Sequence, residues 1–332
     1  MSKKGDKAPS IPIGDPNDPE SLYHYMQRFL EWSAIGNYAD TTVEKRRECL
    51  RAFIQWCDDR GLISPRDITK PILESYQRQL FYHRKANGQP LSSRSQRSRL
   101  VPIRAYFKWL ARQNYILYNP ASELELPRVE QRLPKTILNA SEIEQVINQA
   151  DLDSLSGLRD RAIMETLYST GVRRMELVNL QIQDLDMERG TLMVRQGKGK
   201  KDRMIPIGDR AIAWIDKYLR EARPELVTGQ ACLALFITRH GEAYTPSHLT
   251  DQIRQYVNQA DLGKSGSCHL FRHAMATQML ENGADIRFIQ AMLGHADLST
   301  TQIYTQVSIK KLKDIHTATH PAKLKRTKTT AD

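Results

Sequence analysis

The C-terminal third of the chain carries two histidines, an arginine and a tyrosine at short spacings. His269 and Arg272 are three residues apart, and Tyr304 comes nine residues after His295. A tyrosine hydroxyl attacks a phosphodiester only when the phenol is held in line and the charge developing on the phosphoryl oxygens is neutralised. Arginine suits that task, because its planar guanidinium binds two oxygens at once and stays charged at any working pH. These residue types therefore indicate chemistry on a phosphodiester.

Two upstream segments supply further charged groups. Arg173 precedes Glu176 by three residues, so that on a helix the carboxylate can orient its guanidinium, although Arg174 is a rival on position alone. A lysine turn at 197–201 begins with Lys198 after its first glycine. Lysine can protonate a leaving 5′ oxygen as general acid, and histidines donate to phosphoryl oxygens or move protons near neutral pH. Along the sequence, these candidate residues follow one another in the order arginine, lysine, histidine, arginine, histidine and tyrosine.

In this order the set resembles the active site of the tyrosine recombinases, also called the phage-integrase family, and most closely its Xer-like members. The resemblance extends over nearly the whole chain and includes the Thr-Gly-Val-Arg-x-x-Glu-Leu pattern at 170–177. It favours Arg173 over Arg174, and it favours Lys198 over the two lysines that follow it in the turn. The catalytic residues that it implies are Arg173, Lys198, His269, Arg272, His295 and Tyr304.

The resemblance implies a site-specific DNA recombinase that cuts and rejoins two duplexes through a 3′-phosphotyrosine on Tyr304 and a four-way junction. It implies neither a cofactor nor a metal ion. The partners implied are double-stranded DNA recombination sites and further copies of the chain in a homo-tetramer, with a related recombinase as a further partner. The N-terminal tail and the basic extension after Pro321 favour service to a mobile element over resolution of chromosome dimers.

Composition agrees with a DNA-handling protein. The 332 residues include 49 Lys+Arg against 38 Asp+Glu, a formal charge of +11, which favours a polyanionic partner. The four cysteines form no C-x-x-C pair, and no N-terminal apolar segment suggests secretion. No run approaches the roughly eighteen apolar residues of a membrane span. We therefore expect a cytoplasmic protein with reduced thiols and no membrane partner.

Four other functions fit the sequence less well than a recombinase. His269 and His273 are spaced like the zinc pair of H-E-x-x-H enzymes, but Leu270 occupies the place of the glutamate. The lysine turn fails the P-loop template for nucleotide binding, because no Ser or Thr follows its lysine. A type IB topoisomerase would use the same chemistry without partner exchange, and a non-catalytic DNA-binding regulator would lose the site residues.

The chain is predicted to be mostly α with a small β-sheet. A tail at 1–18 precedes a four-helix, SAM-like core-binding domain at 19–118, and a proline-rich linker at 119–136 leads to a catalytic domain at 137–320 and a basic tail at 321–332. Two strands should flank the lysine turn. In Xer-like relatives the helix after the nucleophile docks on the neighbouring protomer, and the segment 308–316 is the corresponding helix here.

Local signals place helices in both domains. Capping boxes at Thr41–Glu44 and Ser141–Glu144 predict two helix starts, and Gly61 predicts a helix end. The fourth helix should begin near Ser92, with Pro102 as a potential kink. One face of it carries basic residues that we interpret as a surface for the phosphate backbone: Arg94, Arg97, Arg104 and Lys108, with Arg112 beyond them.

Overall fold

The computed structural model describes residues 18–129, 137–195, 202–227, 232–295 and 301. Contacts within the chain divide it into two compact units, Met1–Gln131 and Arg132–Asp332. The described residues are mostly helical and contain one small sheet, which confirms the predicted fold class. Among these residues there is no helix of the length and apolar character that crossing a membrane requires.

The described part of the first unit contains four α-helices around one core, as predicted. They are α1 (Leu22–Ile35), α2 (Asp40–Asp58), α3 (Lys70–Tyr82) and α4 (Ser93–Arg112). The hydroxyl of Tyr106, fully buried on α4, donates to the backbone carbonyl of Leu22 at 2.9 Å. Burying a tyrosine without a partner for its hydroxyl would cost free energy, so this contact fixes the last helix against the first.

The capping box predicted at Thr41–Glu44 is wrong. Helix α2 begins at Asp40, and its N-cap Ala39 makes no side-chain hydrogen bond. An acidic residue in the first turn stabilises the helix start through the helix dipole instead. The helix also ends before Gly61, which lies in the turn that follows with a φ of 69°.

Pro102 lies inside α4 without ending it. Proline has no N–H, so the carbonyl of Ser98, four residues earlier, loses its usual helical donor. The thiol of Cys49 on α2 approaches that oxygen at 3.9 Å and donates to it. The N-cap Ser92 accepts from the backbone N–H of Ser95. Helix α4 therefore presents its basic residues along one continuous helix.

The second unit combines eight described helices with a three-stranded antiparallel sheet of order β1-β2-β3. The helices are α5 (Ala140–Ile147), α6 (Leu155–Thr170), α7 (Arg174–Val178), α8 (Asp209–Lys217), α9 (Arg223–Leu226), α10 (Pro246–Gln259), α11 (Cys268–Glu281) and α12 (Ile286–Leu293). The strands are β1 (Leu185–Asp186), β2 (Thr191–Val194) and β3 (Arg203–Pro206). Strands β2 and β3 confirm the predicted hairpin, whereas β1 is too short for its alternation to be recognised.

The register of the hairpin fixes where its loop begins and ends. Val194 pairs with Arg203, and Thr191 pairs with Pro206 at the other end. The loop that carries the predicted lysine turn therefore begins after Val194 and ends before Arg203, and these two residues face each other.

The capping box predicted at Ser141–Glu144 is also wrong, by two residues. The side chain of Asn139 accepts from the N–H of Glu142 at 2.9 Å, and the Glu142 carboxylate accepts from the N–H of Asn139 at 2.8 Å. Asparagine is as good an N-cap as serine, and both patterns are present in the sequence. The upstream one forms, so α5 begins at Ala140.

Helix α6 runs through the centre of the second unit, and nearly all of its side chains are buried. It ends at Gly171, where φ is 60°. A Cβ on this residue would lie 2.1 Å from the Cε atom of Met275 on α11. Glycine therefore allows α11 to approach the end of α6, which brings the two predicted catalytic arginines into one region.

Several predicted features lie wholly or partly outside the described residues. They are the N-terminal tail up to residue 17, the whole lysine turn, the segment with Tyr304, the predicted helix at 308–316 and the basic tail. Of the predicted linker, residues 130–136 lie outside as well. Its earlier part packs on the first unit, where Ala121 and Leu124 are buried in the core.

Gly157→Ala is expected to lower the free energy of unfolding of the second unit by about 1–3 kcal/mol, as over-packing does. The added Cβ would lie 1.7 Å from the backbone oxygen of Asp151, so the backbone has to move. Urea unfolding followed by circular dichroism measures the loss. Gly208→Ala is the matched control, because its Cβ would approach only the Ser169 Oγ, at 3.3 Å. Equal losses in both variants would contradict this explanation.

Candidate active site and DNA-binding face

Arg272 holds three parts of the second unit together. It lies on α11 and is only 4% exposed. Its Nη1 donates to the carbonyl of Gly171 at 2.5 Å, and its Nη2 donates to the carbonyl of Leu293 at 2.7 Å. A buried guanidinium needs partners of this kind, since an unsatisfied charge in the interior costs several kcal/mol, on the order of 3–5. The end of α6 and the end of α12 thus meet at Arg272.

Arg173 is the N-cap of α7 and does not lie within the helix, contrary to the expectation from sequence. Glu176 nevertheless orients it: the carboxylate accepts from the Arg173 backbone N–H at 2.8 Å and from its Nη1 at 2.9 Å. The Nη2 atom donates to the carbonyl of Gly294 at 3.2 Å. Arg174, the rival, instead donates to the Thr250 hydroxyl on α10 at 2.7 Å.

Glu176 is buried and has a second cationic partner. Both terminal nitrogens of Arg203, at the start of β3, donate to its two carboxylate oxygens at 2.9 and 2.8 Å. Burial alone would raise the pKa of Glu176, but the hydrogen bonds from Arg203 and Arg173 outweigh burial and lower it to about 2. The carboxylate is therefore ionised at every pH at which DNA is handled. No signal in the sequence indicates that Arg203 belongs to this cluster.

Three arginines satisfy three consecutive carbonyls at the end of α12. Arg203 donates from Nε to Met292 O at 2.9 Å, Arg272 to Leu293 O, and Arg173 to Gly294 O. The last carbonyls of a helix have no partner within it and carry partial negative charge, which cations stabilise. Gly294 has a φ of 61°, and a Cβ there would lie 3.0 Å from the Arg203 guanidinium carbon. Glycine is thus needed both for the turn and for the close approach of the arginine.

His295 follows directly and is held at both ring nitrogens. Its Nε2 lies 2.9 Å from Arg272 Nη2, and its Nδ1 lies 2.8 Å from the hydroxyl of Thr301. A guanidinium only donates, so Nε2 accepts, and the ring proton lies on Nδ1 facing Thr301. Thr301 is fully buried and precedes Tyr304 by three residues in the sequence.

His269 lies one turn before Arg272 on α11 and is exposed, as expected for a residue that faces a site. Partial burial of its ring, followed by the charges of Arg272, Arg174 and Arg173, lowers its pKa. The ring is therefore uncharged near neutral pH and able to donate or accept one hydrogen bond. Burial, together with the charges of His269 and Arg272, lowers the pKa of His273 to about 4, so this ring contributes packing without charge.

The structure thus brings together Arg173, His269, Arg272 and His295, while Lys198 and Tyr304 lie outside the described residues. The rings of His269 and His273 have centroids 6.5 Å apart. Within the described part of the chain, no three His, Cys, Asp or Glu side chains are grouped so as to hold a metal ion. The arrangement is suited to binding an oxyanion between two guanidinium groups and two imidazoles.

The basic face of α4 is accessible in the first unit. Arg94, Arg97 and Lys108 are exposed and Arg104 is half-buried. Across residues 18–129, no carboxylate lies within ion-pair distance of any of the four. The start of α2 adds a second wall that sequence reasoning missed. The two helices border an open groove lined both by apolar residues of α4 and by hydroxyl and cationic groups. The apolar residues are Val101, Pro102 and Ala105, and the polar ones are Thr41, Thr42, Lys45, Arg46, Arg94, Arg97 and Ser98.

Comparison with known proteins identifies the family. The model of the phage integrase family matches residues 136–311. The tyrosine recombinase XerC 2 of Ralstonia nicotianae is 51% identical over 305 residues, covering 92% of this chain and 88% of that protein. The chain belongs to the phage integrase family. The tyrosine recombinase XerD of Pseudomonas aeruginosa is 37% identical over 298 residues, covering 89% of this chain and 97% of that protein. This phage-integrase-family chain is a tyrosine recombinase of the Xer type, an enzyme class that cleaves and rejoins DNA.

Solved structures of this family share the fold. The XerH site-specific recombinase, bound to a palindromic difH substrate after cleavage, matches with a TM-score of 0.72 and 21% identity, covering 92% of this chain and 98% of that one. The XerA recombinase matches with a TM-score of 0.51 and 29% identity, covering 91% of this chain and 100% of that one. The helical first unit and the mixed second unit are therefore the architecture of this family.

Arg173→Ala is expected to slow DNA cleavage by about a hundredfold or more, as deletion of a preorganised charge donor does. Single-turnover cleavage of a nicked duplex measures the rate. Arg174→Ala is the matched control: the neighbouring arginine contacts Thr250 rather than the cluster at the end of α12, so its loss should change cleavage much less. The assignment would be reversed if the Arg174 variant were the slower of the two.

Replacing Arg94, Arg97 and Lys108 by glutamine is expected to weaken binding to specific and random duplex alike. The dependence of log affinity on log salt should flatten by roughly 0.9 for each phosphate that the variant no longer neutralises. Fluorescence anisotropy between about 50 and about 200 mM salt measures the slope. Arg66→Gln with Lys70→Gln is the control, because these exposed residues pair with Glu20 and Glu123. An unchanged slope in the α4 variant would identify its face as solvated surface only.

Proposed function

We propose that this recombinase cleaves and rejoins DNA at two sites with Tyr304 as nucleophile. Arg173 and Arg272 neutralise the phosphoryl oxygens, His269 donates to them, His295 moves protons beside them, and Lys198 protonates the leaving oxygen. The observation that carries the proposal is the convergence of Arg173, Arg272 and His295 on the end of α12 in a chain of this family.

The proposed reaction conserves bond energy. The Tyr304 hydroxyl gives its proton to a histidine of the site as its oxygen attacks the phosphorus, and the bond from phosphorus to the 5′ oxygen breaks. Lys198 gives the 5′ oxygen a proton, and the phosphate remains joined to the enzyme through its 3′ side. A 5′ hydroxyl of the partner duplex then gives its proton to Lys198 and attacks the phosphotyrosine, and the released Tyr304 oxygen takes its proton back from the histidine. The negative charge on the phosphoryl oxygens is largest in the transition state, when the bond to Tyr304 is forming and the bond to the 5′ oxygen is breaking. Fixed guanidinium groups therefore stabilise the transition state most.

Both units are proposed to bind the duplex. Residues 19–118 would form the core-binding domain, 119–136 the linker, and 137–320 the catalytic domain. The exposed α4 face supports this division, since it is cationic and lies on a unit that contains none of the proposed catalytic residues. The XerH structure is a complex with its difH substrate, and the Tn1549 transposon integrase, with a TM-score of 0.69, is bound to transposon end DNA. Double-stranded DNA is the partner of this class of protein.

On DNA the protein is proposed to act as a homo-tetramer that joins two sites, with the helix at 308–316 docked on the neighbouring protomer. We further propose that the protein acts on DNA in the cytoplasm and serves a mobile element. The short segment 308–316 supports the exchange, because an isolated helix of this length is marginal in water and must dock on a surface.

A plasmid carrying two recombination sites tests the proposal, with resolved circles as the product. The full chain should resolve the plasmid, and Tyr304→Phe, which lacks only the nucleophilic oxygen, should bind the sites but form no covalent adduct. Truncation after Val307 should leave single-site binding in place and abolish synapsis, since the truncated protomers can no longer link around a closed ring.

Three outcomes would contradict parts of the proposal. A covalent adduct formed by the Phe variant would transfer the nucleophile to another residue. Recombination by the truncated protein would exclude the exchanged helix. Relaxation of supercoils without resolution would indicate the topoisomerase alternative.

A further inference from the structure

Arg203 is the residue through which the hairpin meets the rest of the site. Its guanidinium makes three described hydrogen bonds, two to the carboxylate of Glu176 and one to the carbonyl of Met292. The side chain is 14% exposed and the Glu176 side chain is 5% exposed. A bidentate pair with this little exposure to water has a fixed geometry, because both planar groups are aligned by two parallel hydrogen bonds.

These contacts connect three elements that carry proposed catalytic residues. Glu176 is the carboxylate that orients Arg173 on α7. Met292 lies two residues before Gly294, whose carbonyl accepts from Arg173, and three residues before His295. Arg203 itself pairs with Val194 across the mouth of the hairpin loop that contains Lys198. One guanidinium therefore sets the distance between the hairpin, the start of α7 and the end of α12.

We propose that Arg203 is a positioning residue for DNA cleavage: it holds Glu176 and the end of α12 so that Arg173 and His295 meet the phosphate in a fixed arrangement. The inference rests on the proposed roles of Arg173 and His295. Arg203 itself does not touch the reacting atoms. It affects the reaction only by fixing the positions of Arg173 and His295.

The physical consequence of removing Arg203 follows from the burial of Glu176. A buried carboxylate that loses one of two guanidinium partners turns toward the other, which is Arg173. The Arg173 side chain would then be drawn toward Glu176, away from Gly294 O and from an incoming phosphate. The carbonyl of Met292 would lose its donor as well, and the end of α12 would be held by two arginines instead of three. A displacement of about 1 Å at a site of this kind costs on the order of a hundredfold in rate.

The experiment compares cleavage with binding in Arg203→Met and Arg203→Lys. Single-turnover cleavage of a nicked duplex gives the rate constant, and anisotropy on the same duplex gives the dissociation constant. Arg203→Met should slow cleavage by at least about tenfold while changing the dissociation constant by less than about threefold, because a misplaced clamp still attracts phosphate. Arg203→Lys keeps the charge but not the paired hydrogen bonds, so it should restore part of the rate.

Arg195→Met is the matched control. Arg195 follows β2 in the same hairpin and also pairs with a buried carboxylate, that of Asp184, but it contacts neither α7 nor α12 in the described structure. Its loss should leave the cleavage rate within about twofold of the parent, since an arginine pair elsewhere on the hairpin does not orient Arg173.

The other possible results would contradict the positioning role of Arg203 or the proposed function. Cleavage by Arg203→Met within about twofold of the parent, or an equal loss of binding and cleavage, would overturn the positioning role. If Arg203→Met does not fold, Arg203→Lys alone decides, and a parental rate in that variant overturns the role. Arg173→Ala is measured in parallel: a parental rate there would refute the proposed function itself, whereas a slow Arg173→Ala beside a normal Arg203→Met would refute only this inference.

Discussion

The arrangement of the second unit depends on the hydrogen bonds at the C-terminal end of α12. Three successive carbonyls, of Met292, Leu293 and Gly294, each accept a hydrogen bond from a different arginine. The three arginines come from β3, from α11 and from the N-cap of α7. Helix carbonyls at a C-terminus attract cations and cannot be satisfied by their own helix. The same contacts that complete the helix therefore collect the cationic groups of the site.

On the proposed roles of Arg173 and Arg272, this arrangement explains how a half-buried and a buried arginine remain available to a phosphate. A guanidinium that was neutralised by carboxylates on every side would gain little from another anion. Here Glu176 faces Arg173 and Arg203, whereas Arg272 donates to two carbonyl oxygens and to His295. Carbonyls contribute dipoles and no net charge, so the guanidinium groups are held in place while the local potential stays positive. Preorganisation of this kind requires no rearrangement at the moment of reaction.

Local sequence predicts most of the elements, and long-range contacts account for what it misses. Periodicity places the helices around Leu22, Phe53 and Tyr76, and two short, mainly apolar runs place the strands beside the lysine turn. The prediction of a helix start fails where two capping patterns lie close together, as at the start of α5, because tertiary packing selects between the two patterns. Arg272 is recognisable from its spacing to His269, but its carbonyl partners on α6 and α12 are 101 and 21 residues away. Arg203 is recognisable only as a strand residue, since nothing near it in the sequence indicates a pair with Glu176.

The dependence of the site on distant segments has a consequence during synthesis. The arginine at the start of α7 finds its carbonyl partner 121 residues later, at Gly294, so the cluster cannot form until the ribosome has released nearly the whole second unit. A nascent chain, or a fragment left by a protease that removes α12, retains the cationic face of α4 but not the assembled anion site. If the α4 face and the arginine cluster act as proposed, such a fragment would bind DNA without cleaving it. On the proposed roles of these arginines, the recombinase would be unable to cut DNA until its translation is almost finished.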